Sequence, residues 1–118
     1  MSTQPRTMLD LIAVLSGPIV WALHFFSLYL IEALGCTVAG TTAGTHVRTS
    51  GAVITVVALA ALLGLTMYHR RGFRRRSHGT AADALERYAA LLAALSLVGV
   101  LWASIPLFVF PACVPAGA

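Results

Sequence analysis

Three long apolar runs, separated by two more polar stretches, set the pattern of this chain. They extend from about Leu11 to Leu34, Ala52 to Tyr68 and Tyr88 to Phe110. A hydrocarbon core about 30 Å thick is crossed by about 20 mainly apolar residues at 1.5 Å rise each. The runs therefore predict an all-α integral membrane bundle of three transmembrane helices, with residues 1–118 forming a single membrane domain. The middle run is the shortest, near the lower limit for a span.

Apolar side chains in a span need no special account, whereas ionisable ones are costly unless partnered. The first run holds His24 and Glu32. At about 100° per residue, Asp10, Gly17, Trp21, His24, Leu28 and Glu32 share an arc of about 80°. Such a stripe should face protein, so Gly17, Pro18, Trp21, His24, Leu28 and Glu32 are the candidate docking residues. Gly17-Pro18 removes one backbone donor inside the helix, which predicts a packing kink or a hinge. Ala89, Ala93, Ser96 and Ala103 form a narrow small-residue stripe in the third run. Ala60 and Gly64 have small-xxx-small spacing in the second, a pattern that permits close helix approach. Tyr29, Tyr68 and Tyr88 lie toward span ends, as interfacial aromatic residues do.

Composition agrees with lipid as the solvent: of 118 residues, 58% are hydrophobic and only 10% charged. The net charge of +4 suggests an acidic partner until the arginines are located. Arg70, Arg71, Arg74, Arg75 and Arg76 crowd into HRRGFRRRSH, in the loop 69–80 between the second and third spans. Short arginine-rich loops remain in the cytoplasm. That places the N-terminus in the cytoplasm, residues 35–51 and the C-terminus in the periplasm, and the chain in a bacterial cytoplasmic membrane as a multi-pass protein. The five arginines suit anionic lipid headgroups. The segment is short, tethered at both ends and carries only Phe73 for stacking, so nucleic acid is not an expected partner. Thr80 and Asp83 make a helix start signal for the third span, with Asp83 and Arg87 spaced to pair. The first run is too long for a signal-peptide core, and His24 and Glu32 also argue against one.

Three roles are open to His24: a hydrogen bond to a neighbouring helix, cofactor ligation as in haem, or proton relay. His46, His69 and His78 fall in the expected loops, so a bis-histidine haem site needs a ligand from a partner. Cys36 and Cys113 are the chain's two cysteines. The topology puts both on the oxidising side, where a disulfide is the natural expectation. Free thiols, or a metal site of Cys36, Cys113 and His46, are the alternatives. No C-x-x-C-H sequence for c-type haem attachment occurs.

GPIVWALHFFSLYLIEALGC and RYAALLAALSLVGVLWASIPLFVFPAC resemble a family of small bacterial three-helix membrane proteins typically encoded beside haem-copper terminal oxidase genes. The matching positions are Gly17, Pro18, Trp21, His24, Tyr29 and Cys36, then Arg87, Tyr88, Pro111 and Cys113. The middle span and basic loop match only in general character. The resemblance implies a non-catalytic accessory role in a respiratory complex, with terminal oxidase subunits as partners. It implies no catalytic residues and no cofactor of the chain's own; haem and copper would belong to partner subunits. The alternatives are a copper or haem assembly factor using Cys36, Cys113 and His24, and a haem-bearing electron carrier formed by oligomerisation.

Overall fold

The structure is a computed structural model that describes residues 3–39, 43–75 and 81–113. It is all-helical: α1 covers Thr3–Ala39, α2 Gly44–Arg75 and α3 Ala81–Val109. Each helix contains a segment long and apolar enough to cross a membrane, namely Thr7–Val38, Gly44–Gly72 and Ala84–Val109. Cys36 at the end of α1 lies beside Cys113 just after α3, so the helices run up, down and up. All three pairs are in contact, α2 against α3 most extensively.

The helices overrun the apolar segments that announce them. At its rise per residue α1 is about 55 Å long, close to the molecule's longest dimension of 59 Å. Backbone hydrogen bonding does not stop where apolar side chains do. α2 shows this best. Ala43, Val47, Gly51, Thr55, Ala58, Leu62 and His69 are all buried, at helical spacing, along one face. That face continues past both ends of the expected 52–68 span. Residues 43–51 are therefore a helix start rather than a connection, and His46 and Arg48 are helical. At the other end, the expected loop 69–80 is helix as far as Arg75. The side chains of Arg74 and Arg75, all of Arg76, His78 and Thr80, and the side chain of Asp83 lie outside the described residues. The helix start signal and the pairing of Asp83 with Arg87 lie there too.

The interior is thin and mixes alanines with leucines and valines. Ala58, Leu62 and Val100 are its buried centre, with Val20, Leu59 and Leu97 packed around them. On α3 the buried face runs through Ala89, Ala93, Ser96, Val100, Ser104 and Leu107, so the small-residue stripe is the contact surface. A Cβ on Gly17 would lie 2.8 Å from the Cα of Ala93, so glycine is what lets α1 meet the α3 backbone. Gly99 similarly admits the indole of Trp21, which stacks on Phe25 with centroids 6.1 Å apart. Gly64 meets nothing within 4 Å, and Ala60 is exposed beside it, so that small-xxx-small pair points out of the bundle. Tyr29, Tyr68 and Tyr88 also point outward. α1 continues as helix through Pro18, and α3 through Pro106.

Candidate functional site

Three places along the bundle bring polar chemistry together. The first joins all three helices. His24 projects from the buried face of α1, and its Nε2 lies 3.0 Å from Thr55 Oγ1 on α2. Thr55 donates its own proton to the Gly51 carbonyl at 2.8 Å. Ser104 of α3 sits 3.4 Å from Thr55 Oγ1 and bonds the Val100 carbonyl at 2.6 Å. The shorter contact takes the serine proton. Each hydroxyl proton is thus engaged with its own helix four residues back, and Thr55 keeps lone pairs for the ring. His24 is accordingly the donor, through Nε2–H, and its Nδ1 carries an unshared pair with no hydrogen-bond partner among the described residues. In the other tautomer a buried N–H would be the orphan, which is costlier. All three side chains are buried, where leaving a polar group unpaired costs a few kcal/mol.

The second place is the disulfide end. Cys36 and Cys113 are joined, with an S–S distance of 2.02 Å, Cα atoms 5.1 Å apart and 77 positions between them in sequence. Cys113 has φ 59°, a left-handed conformation that turns the chain back after α3. Arg48 reaches across from α2 to bond the Leu107 carbonyl through Nε and the Phe110 carbonyl through Nη2, both at 3.3 Å. It neutralises the carbonyl-rich, partly negative end of α3. His46 is exposed on the same end of α2. Within a disulfide neither sulfur is the thiolate that ligates metal well.

The third place is the arginine-bearing end. His69 is buried and its Nε2 has no hydrogen-bond partner among the described residues. Tyr68 meets the ring edge-on at 5.6 Å. Glu86 of α3 lies over Gly72 of α2, where a Cβ would come within 2.8 Å of Oε1, and its buried Oε2 has no partner either. Thr66, Arg70, Glu86, Arg87, Leu91 and Ala94 line an open groove of about 550 Å³ between α2 and α3. Arg70 and Arg71 are exposed on the last turns of α2.

Of the stripe on α1, Gly17, His24 and Leu28 face the chain's own α2 and α3. Pro18 is half-buried, Trp21 partly exposed, and Glu32 and Asp10 exposed. Thr55, Ser104, Arg48 and Glu86 were not among the expected site residues. The α2 spacing from Ala43 to Leu62 could have singled out Thr55, since it puts this lone polar side chain on the buried face. Nothing local marks Arg48, whose partners are about sixty residues away. Among the described residues, no three His, Cys, Asp or Glu side chains are grouped. Compared with known proteins, the chain matches no family model, no curated protein and no solved structure.

Proposed function

We propose that this protein is a non-catalytic accessory subunit of a larger complex in a bacterial cytoplasmic membrane, with its arginine-bearing end in the cytoplasm and its disulfide in the periplasm. The observation that carries this reading is how little of each helix the bundle covers. Only 11%, 22% and 28% of the most apolar windows of α1, α2 and α3 are buried, while the polar groups half-way along are bonded to one another. The molecule thus has a self-sufficient interior and an apolar exterior that must be covered by lipid or protein. Trp21, Phe25 and Trp102 line a concave apolar groove between α1 and α3, a shape suited to a neighbouring helix. The resemblance in the first and last thirds of the chain makes a haem-copper oxidase the complex we favour.

A second reading, a factor that assembles copper or haem sites, draws support from Cys36 and Cys113. They are bonded to each other and only half-buried, and reduction would make thiolates available on that side of the membrane. Gentle purification of a tagged copy from its native membrane separates the two. We expect oxidase subunits and haem absorption to co-elute with the protein. A colourless fraction free of other subunits would sink the accessory reading, and cysteines found partly reduced in cells would then favour the assembly factor.

A further inference from the structure

In the membrane setting proposed above, tryptophan favours the two interfaces, where its ring lies in apolar surroundings and its N–H reaches water. Trp21 is instead at the middle of α1, eleven residues or about 16 Å from the exposed Asp10 on one side and from the exposed Glu32 on the other. Its indole rests on Gly99 of α3, which puts Gly99 at the same level, and Trp102 follows about a turn further along α3. Trp102 is 76% exposed. Nothing among the described residues accepts a hydrogen bond from its indole, and the undescribed stretches lie at the two ends of the bundle. The same residue also has an acceptor to spare. Pro106, exposed one turn beyond it, has no N–H, so the Trp102 carbonyl loses its helical donor. An unmatched donor and an unmatched acceptor on the outward face of an apolar helix are each costly in hydrocarbon.

The groove beside Trp102 has the form of a helix seat. It runs between α1 and α3 from Leu92 to Ala103, about 16 Å or three turns, and encloses about 490 Å³. Ser96 in its lining already bonds the Leu92 carbonyl at 2.7 Å, so the unmet polar demand is at Trp102. An acyl chain would fill the groove but supply neither donor nor acceptor. A second copy of this chain presents Leu23, Val57, Val98 and Leu101 at that level, all apolar, and so offers no side chain that does both. We propose that the groove seats one transmembrane helix of a different protein, and that this helix carries an asparagine, glutamine, serine or threonine half-way along, accepting from the Trp102 indole and donating to the Trp102 carbonyl. The proposal rests on the chain being a subunit of a larger membrane complex, not on which complex that is.

In cells making the full chain, a photoreactive benzoylphenylalanine would replace Leu95, which lines the groove, or Val57, which is exposed on α2. Intact membranes would be irradiated and the captured peptides sequenced. The Leu95 probe should capture one transmembrane segment with an amide or hydroxyl side chain near its middle, and the Val57 probe should not capture that segment. Trp102→Phe keeps an aromatic ring but removes the N–H, and should lower the capture about three- to tenfold. Replacing the captured segment's polar side chain by leucine should lower it as much, with no further loss when the two changes are combined. That replacement leaves this chain untouched, which covers misfolding of Trp102→Phe. Capture of a second copy, of lipid alone or of a wholly apolar segment would overturn the proposal, as would capture that survives either change. Oxidase subunits that co-elute but are captured only from Val57 would remove this groove and keep the accessory reading. Capture at Leu95 of an amide- or hydroxyl-bearing helix from a protein outside the respiratory chain would keep the groove and remove the oxidase.

Discussion

His24 brings to α1 an imidazole that water would otherwise solvate, and Thr55 gives it a fixed acceptor 3.0 Å away. Interhelical bonds of this kind in apolar surroundings are worth about 0.6–2 kcal/mol. Thr55→Val keeps the side-chain shape but removes that acceptor, so it should destabilise the bundle by about 1–2 kcal/mol. A double-mutant cycle with His24→Phe, followed by unfolding in mixed micelles, would measure the coupling; additive losses would mean that the contact contributes nothing. Two glycines make a sharper contrast. Gly17→Val places its new carbon 2.8 Å from the Ala93 Cα, where only backbone movement gives relief, and should cost about 1–3 kcal/mol. Gly64→Ala meets nothing within 4 Å and should be neutral or stabilising by up to about 1 kcal/mol, because alanine is the better helix former. Equal effects from the two substitutions would contradict this packing. The chemistry of each residue was plain from its identity. Which of the two glycines was indispensable was not, because small-residue spacing occurs in both helices.

Among the elements, α3 depends on its neighbour for its ending. No basic residue occupies its last turn, yet carbonyls there lose their helical donors. Arg48, on α2, supplies two N–H groups to the Leu107 and Phe110 carbonyls. Arg48→Gln should therefore fray the end of α3, at a cost of about 0.5–1 kcal/mol. Amide exchange at residues 107–110 should accelerate, while exchange near Ala93 remains unchanged. Uniform acceleration would point to general loss of packing instead. The helix α2 outruns the apolar run 52–68 because hydropathy marks where a helix is apolar, whereas the helix itself continues while its backbone stays bonded. Ala43 and Val47 extend the buried face toward the disulfide end among threonines, and His69 extends it toward the arginine-bearing end. A window average dilutes both.

For the whole molecule, the staple between Cys36 and Cys113 restrains a bundle with a small apolar centre. Closing 77 positions corresponds in chain-entropy arithmetic to about 4–5 kcal/mol. Long apolar helices are constrained before they pack together, so the realised stabilisation should be smaller, about 1–3 kcal/mol. Cys36→Ser with Cys113→Ser should lower the thermal midpoint in micelles and leave the far-ultraviolet helical signal intact at low temperature. An unchanged midpoint would show that Arg48 and the packing of Gly35 against Val47 hold that end without the bond.

The three apolar runs, the pair of cysteines and the cluster of five arginines were legible residue by residue, because length and hydropathy are properties of the chain itself. They determined that the protein is helical and suited to lipid. The tertiary structure decided what faces what. The stripe of Gly17, His24 and Leu28 had the pattern of a contact surface, but an amphipathic pattern says only that a face is covered. Here α2 and α3 cover it. The junction of His24, Thr55 and Ser104, the reach of Arg48 to α3 and the groove between Arg70 and Arg87 all join residues distant in sequence. Helix register and rotation put them together, and local propensity carries no record of either.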